Sequence, residues 1–587
     1  MKRDQFLYSI AMGSAGILVN RKLFRQDSRQ IYDVVVYGAS SSGVIAAVKA
    51  ARLGRTVILI EPSHHLGGLT TGGLGATDTG LERAIGGMSL EFYRRIREHY
   101  RSDSLWRQES RDEYIARSGR YLHPDSEGMF GFEPHAARAV YEQMLREERV
   151  PVMMNERLVL GSNGVEKRSN KITAIHTESG NTYRGRIFID ATYEGDLLAM
   201  AGVSFHVGRE SNARYDEELN GVQPVRTSNH IFPGFVDPYI EPGNRRSGLV
   251  PEVHDQSPGV EGEGDDRLQA YCFRMCLTDS VDNQIPFEKP QGYEELQYEL
   301  LFRNYEAGET RGLPMSTMPN RKTDTNNRWG FSTNYIGGNY NYPSANYGAR
   351  EEIIELHAHY QKGLMWTLAN HPRVPDPIRN EIGRWGLSAD EFTDNHGWPT
   401  QIYVREARRM IGEYVMTEHD CRRLRLANDS VGLGSYTMDS HNVQRYVTQN
   451  GCVQNEGNIE VSPRGPYQIS YRSLLPKRNE CANLLVSCNG VSASHIAFGS
   501  IRMEPVFMVL GHSAAVAASH SIEDGVDLHD IDYAKLREQL LAEGQHLEVD
   551  TEQFPPFEFD GILPDQRRIH NSEPDVERCC IVERESV

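Results

Sequence analysis

Residues 31–61 read IYDVVVYGASSSGVIAAVKAARLGRTVILIE. The opening run, from Ile31 to Val36, is apolar and β-branched with little alternation, as expected of a strand buried on both faces of a parallel sheet. It stops at Gly38-Ala-Ser40-Ser-Ser-Gly43. Val44, Ala47, Val48 and Ala51 then recur at helical spacing, and Gly54 ends the helix. Thr56 to Ile60 reads as a second buried strand, closed by the acid Glu61.

Such a strand–turn–helix–strand unit has a chemical use. Gly38 permits the tight turn and Gly43 the close packing of helix on strand. The helix N-terminus offers free N–H groups and the positive end of its dipole to a pyrophosphate. Glu61 accepts from ribose hydroxyls, and its charge disfavours a 2′-phosphate and hence NADP. Ser40 stands where a middle glycine is usual, and it is small enough for backbone approach. The unit predicts dinucleotide binding, against the alternative of a plain α/β turn.

Outward from this unit, His64-His-Leu-Gly67-Gly68-Leu-Thr-Thr71-Gly72-Gly73-Leu-Gly75-Ala-Thr-Asp78 follows. So many glycines predict a backbone that comes close to something, a flexible loop being the alternative. Glu133-Pro134-His135 starts a helix with proline at its first position. Residues 150–154 read as the next parallel strand. Residues 157–187 read as a β-meander with strands at 158–160, 172–175 and 182–183. A buried strand then ends in Asp190-Ala191-Thr192 and leads to a helix near Asp196. Far downstream, residues 484–487 form another buried strand. It precedes His495, Gly499, Arg502 and a helix rich in small residues.

This succession resembles the FAD-dependent oxidoreductase family of the glutathione-reductase-like flavin fold, distantly similar to fumarate reductase and succinate dehydrogenase flavoproteins. The resemblance runs from about residue 31 to 545. It implies an α/β fold: a Rossmann-type FAD-binding domain with a β-meander and an inserted α+β cap or substrate domain. It implies that Gly38, Ser40, Gly43 and Glu61 bind the ADP half of FAD. Gly67, Gly68, Thr71, Gly73, Ala191, Thr192, Gly499 and Arg502 would approach the rest of the cofactor. Succinate-dehydrogenase-type relatives tether FAD through a histidine before a glycine pair. Here His64 and His65 stand too close to Gly67-Gly68, so the expectation is noncovalent FAD.

The domain expectation is a leader at 1–30, the FAD domain at 31–210 and 426–525, an inserted domain at 211–425, and a C-terminal helix and tail at 526–587, whose last 40 or so residues are expected to be loose, with Gln553 to Ile562 read alternatively as a remnant of an extra C-terminal β module found in some relatives. Residues 323–347 interleave asparagine with Trp329, Phe331, Tyr335, Tyr340 and Tyr342. That mixture suits a sugar or polyol, the alternative being a packed irregular loop. Oxidation of an alcohol by flavin needs a base, for which His495 and His441 are the candidates. Arg405, in a segment expected to join a strand to a helix, could hold a carboxylate or stabilise reduced flavin; its alternative, and the favoured reading for Arg408, is a surface ion pair. The predicted activity is transfer of hydride from a small polar substrate, a carbohydrate or hydroxy acid, to flavin N5. The electron acceptor is left open. A lyase or isomerase holding flavin, and a flavin subunit of an electron-transfer complex, are the alternatives.

Composition bounds these readings. At roughly 100–200 residues per domain, 587 residues make two to four domains. The net charge of −18 argues against nucleic acid as a partner, because phosphate contacts need clustered cations. Mean hydropathy is −0.54, and no run reaches the roughly 18 apolar residues of a spanning helix, so stable membrane insertion is not expected. The eight cysteines form no CxxC motif and so no zinc ribbon. Cys272 and Cys276 would share a helix face as buried small hydrophobes, if that stretch is helical. Lys2-Arg3 and the apolar residues 6–19 loosely resemble a twin-arginine leader. The cations Arg21, Lys22, Arg25 and Arg29 that follow oppose translocation. Export to the periplasm and a cytoplasmic location both stay open.

Overall fold

The computed structural model describes residues 30–118 and 126–558. The leader expected at 1–30 lies almost wholly outside them, as do Cys579, Cys580 and the tail beyond 558.

The central sheet is mixed. β1 (Ile31–Tyr37) lies between β2 (Val57–Glu61) and a long strand at Thr182–Asp190, parallel to both. β3 (Val152–Met154) extends the sheet parallel to β2. β4 (Val165–Arg168) and β5 (Lys171–His176) form the meander with that long strand, β6 (Thr182–Asp190). The first part of β6 pairs antiparallel with β5. Its last three residues pair instead, parallel, with β7 (Leu484–Val486), which returns from the far end of the chain. The lack of alternation in β1 now has its cause. Val34 and Val36 enter one hydrophobic core and Val35 and Tyr37 the core on the other face.

Five helices matter for the site. α1 (Ser41–Arg52) follows β1, and α2 (Pro134–Glu147) starts with proline after the Glu133 N-cap. α3 (Tyr347–Asn370) belongs to the region between the two halves of the nucleotide fold. α4 (His495–Ile501) and α5 (Glu504–Asp524) close it. α5 is long and apolar enough to cross a membrane by length and composition, yet it is buried in the protein from Glu504 to Ile522. Its small residues let it lie along α1.

Between residues 211 and 425 a five-stranded antiparallel sheet forms, in the order Met315–Met318, Lys322–Thr325, Cys276–Thr278, Gly386–Ser388, Gln284–Ile285. Cys276 therefore begins a strand, and Cys272 lies in irregular chain ahead of it; the two are buried but share no helix face.

Three further expectations are corrected. Residues 158–160 form no meander strand, only a bridge from Leu158 to Thr177. The strand that replaces them, Val165–Arg168, is mostly exposed and polar, so it carries no burial pattern to read. Residues 401–415 contain a two-residue strand, Arg409–Met410, and no helix. Residues 553–558, expected to be loose or a β remnant, run as irregular chain held by arginines: Arg423 Nε donates to the Phe554 carbonyl at 2.9 Å.

Candidate active site

The glycine turn and Glu61 meet in one cavity. Gly38, Ser40, Glu61, Gly68, Ala191 and Thr192 line it. Gly38 has φ +99°, and a Cβ there would come within 2.7 Å of the Ala191 backbone. A Cβ on Gly43 would lie 1.8 Å from the Gly38 carbonyl oxygen. No side chain fits at either place, which is why the turn is built from glycine. Ser40 caps α1 and donates its hydroxyl to the Ala191 carbonyl at 2.6 Å. The first amides of α1 have no intrahelical acceptor. Glu61 accepts from the Ala39 amide at 2.6 Å and the Ser63 amide at 2.8 Å. Burial raises its pKa against the pull of these donors.

Asp190 orders the opposite wall. It accepts from the Thr192 amide at 3.0 Å and hydroxyl at 2.7 Å, and burial pushes its pKa up to about 6. Tyr342, Tyr347 and Arg350 reach this cavity from the inserted region, Arg350 held by Asp196 at 2.6 and 2.8 Å. A glycine cradle, a helix N-terminus and an acid at the next strand end are the groups an adenine dinucleotide needs, so the residues present fit FAD.

Thr71, Gly73 and Gly499 do not line this cavity. Thr71 donates its hydroxyl to the Leu66 carbonyl. Gly73 packs on the Arg274 carbonyl, and Gly499 on the Asp439 backbone. His65 donates through Nε2 to the Gly68 carbonyl at 2.9 Å and accepts through Nδ1 from the Thr400 hydroxyl at 2.9 Å. Sequence reading missed Glu504, the first residue of α5. It accepts from Thr70 at 2.7 Å and from Tyr193 at 2.9 Å, and burial raises its pKa.

A second cavity begins where the first stops, since Ile402 lines one and Tyr403 the other. Its wall holds Asp78, His230, Arg274, Asn327, Arg328, Tyr403, Tyr436, Asp439, His441 and Arg502, five of them charged. Of the residues proposed for chemistry, His441 lines it directly, and so does Arg502, which was expected at the cofactor. Arg405 stands behind. It is fully buried and stacks on Tyr403 with 4.6 Å to the ring centre. It is no surface ion pair: among the described residues it has no carboxylate partner, and its Nη2 donates to Asn327 Oδ1 at 2.8 Å. Arg408 does make the ion pair expected of it, with Asp196 at 2.7 Å, but inside the protein.

One chain of hydrogen bonds fixes the proton positions here. Arg405 can only donate, so Asn327 must turn its oxygen to it and its amino group to His441. Asn327 Nδ2 lies 2.8 Å from His441 Nδ1, which therefore accepts. The His441 proton sits on Nε2, 3.3 Å from Asp439 Oδ2. Arg502 donates to the same oxygen at 2.9 Å and to the Tyr403 hydroxyl at 2.6 Å. Burial, and then the Arg405 charge, depress the His441 pKa to about 3, so the ring is neutral. His495 is placed differently. Its two ring nitrogens meet Glu406 Oε2 at 2.8 Å and Ser440 Oγ at 2.9 Å, and it lines neither cavity.

His230, which sequence reading did not single out, faces this cavity. Its φ is +54°, a left-handed backbone uncommon outside glycine. Asn442 and Asn455 pin its carbonyl at 3.0 and 2.7 Å. Its Nε2 is buried without a hydrogen bond; Glu460 Oε1 lies 3.3 Å away, out of line. Burial lowers its pKa to about 4, with Asp439 pulling the other way. Its ring centre is 6.2 Å from that of His441. Local strain of this kind persists where the surroundings impose it and is frequent at functional sites.

Comparison with known proteins agrees on the cofactor. No curated protein matches the chain. Among solved structures, L-proline dehydrogenase from P. horikoshii is 17% identical (31% of this chain and 59% of that chain covered, TM-score 0.22). L-amino acid deaminase from Proteus vulgaris is 16% identical (31% and 59%, TM-score 0.21). Thioredoxin reductase from Streptococcus pyogenes is 18% identical (28% and 35%, TM-score 0.16). Less than two thirds of each of these proteins is spanned. The family described as FAD dependent oxidoreductase matches residues 33–540, nearly the whole described chain. The chain belongs to the FAD-dependent oxidoreductase family.

Proposed function

We propose that this oxidoreductase oxidises a hydroxyl group of a small polar substrate held in the second cavity, with noncovalently bound FAD. Bound FAD supplies the hydride acceptor. The protein's share is to hold the substrate and remove the hydroxyl proton. The observation that carries this reading is His230 Nε2, a buried imidazole nitrogen without a hydrogen bond in a polar cavity that adjoins the dinucleotide cradle. A neutral imidazole can accept a proton, and Asp439 supports the resulting charge. His441 has its accepting nitrogen engaged by Asn327, so it positions rather than abstracts. Arg405 acts through Asn327, and His495 through Ser440, on the same strand end. The amide and phenol groups of Asn326, Asn327, Tyr403 and Tyr436 suit a hydroxylated molecule.

The test is anaerobic mixing of FAD-loaded protein with sugars, polyols and hydroxy acids. At least one class is expected to bleach the flavin. His230→Gln is expected to slow that bleaching by about 10²–10⁴-fold at unchanged flavin content. A flavin that dithionite reduces but no hydroxyl compound does would overturn the reading, and so would wild-type bleaching rates in the variant.

A further inference from the structure

The charges of the second cavity divide into those already matched and those not. Arg274 is held bidentately by Asp324 at 2.8 and 2.6 Å. Arg502 is matched by Asp439 at 2.9 Å. Arg328 has no hydrogen bond or ion pair among the described residues, and neither has Asp78. Arg328 is exposed, but its backbone is fixed on both sides. Asn327 is buried between Arg405 and His441. Trp329 is locked at φ +76° with its indole N–H on the Gly312 carbonyl at 2.8 Å, under the Arg311 guanidinium at 3.4 Å. The Arg328 charge reaches the cavity, since it acts on His230.

We propose that the substrate carries a single carboxylate, taken by Arg328, and hydroxyl groups that donate to Asp78: a hydroxy acid or sugar acid, not a neutral sugar. This rests on the reading of the second cavity as the place of hydroxyl oxidation. A guanidinium recognises a carboxylate through two parallel N–H donors. One unmatched guanidinium beside one unmatched carboxylate suits a monoanion and disfavours a phosphate dianion. Asp78 already lies in the field of Arg274 and Arg502, which offsets its pull on a full ammonium and leaves hydroxyl donors as its better partners.

The experiment is equilibrium titration of oxidised, FAD-loaded protein with lactate, gluconate and glucuronate, and with glucose as the uncharged probe. It is read by the flavin difference spectrum and by calorimetry. At least one acid is expected to bind more tightly than glucose, with affinity that falls as salt rises. Arg328→Gln is expected to weaken that acid at least tenfold, to leave glucose unchanged and to raise KM far more than it lowers kcat; Arg328→Lys restores part of the affinity. Equal affinity for glucose and every acid, no binding by any acid, or an unchanged acid affinity in Arg328→Gln each overturns the inference. If glucose bleaches the flavin independently of Arg328, hydroxyl oxidation stands and the carboxylate falls. If an acid binds through Arg328 and no compound bleaches the flavin, the carboxylate stands and oxidation falls. Serine binding through Arg328 more tightly than lactate removes the hydroxyl assignment at Asp78.

Discussion

Lys322 and Arg328 lie a few residues apart, yet their surroundings differ completely. The Lys322 ammonium is fully buried and touches Glu133, Asp390 and Glu391, each at 2.8 Å. His135 adds a contact of 2.6 Å to Glu391, while Tyr100 and Asn320 donate to Glu133 at 2.8 Å each. Glu133, His135 and Glu391 bring ligand atoms within 4.8 Å of one another, a spacing that would suit a metal, but the lysine already supplies the cation. Arg328 has no such partners. The lesson is that charge inside a protein is read by what remains unmatched. The Lys322 cluster joins the α2 start to the antiparallel sheet and does structural work; the Arg328 cavity leaves groups without a charge partner among the described residues.

The largest test of this contrast is Lys322→Met. Removing one member of a buried charge cluster strands the others, and about 3–5 kcal/mol of stability is expected to be lost in urea unfolding. A variant as stable as the wild type would make the cluster incidental.

His441 sharpens the other side. Its folded pKa of about 3 lies below the ordinary 6.5. Between these values the unfolded chain takes up a proton that folded His441 refuses, so its contribution makes stability fall as pH drops below 6.5. At pH 5 the cost is about 2 kcal/mol. His441→Gln is expected to flatten the fall in unfolding free energy between pH 7.5 and 5 by that amount; an unchanged slope would place the proton elsewhere.

The smallest expected effect is the stability of Arg328→Gln, within about 0.5 kcal/mol of wild type at pH 7.5, because an exposed, unmatched cation holds nothing in place. A larger loss in thermal unfolding would make Arg328 a structural residue and dissolve the contrast.

Much of the dinucleotide half was legible because its parts are neighbours in the chain. Gly38, Ser40 and Gly43 share one turn, and Glu61 ends the next strand in register with β1. Thr71 and Gly73 were less legible. Glycine density showed that the backbone comes close to something, but not whether that is the cofactor or, as for Gly73, the Arg274 carbonyl. His441 and His495 looked alike in sequence, each beside serine in a polar segment. Only packing separated them, with one facing a cavity and the other enclosed by Glu406 and Ser440. His230 gave no signal at all, since neither its left-handed backbone nor its bare nitrogen has a residue-type signature.

By itself the sequence determined the cofactor fold and the glycine turn with its facing acid, because strand burial, helix spacing and turn chemistry are local properties of consecutive residues. Tertiary structure alone decided the second cavity. Asp78, His230, Arg328, Tyr403 and Arg502 come from distant parts of the chain, and whether each charge is matched depends on neighbours that the folded backbone brings to it.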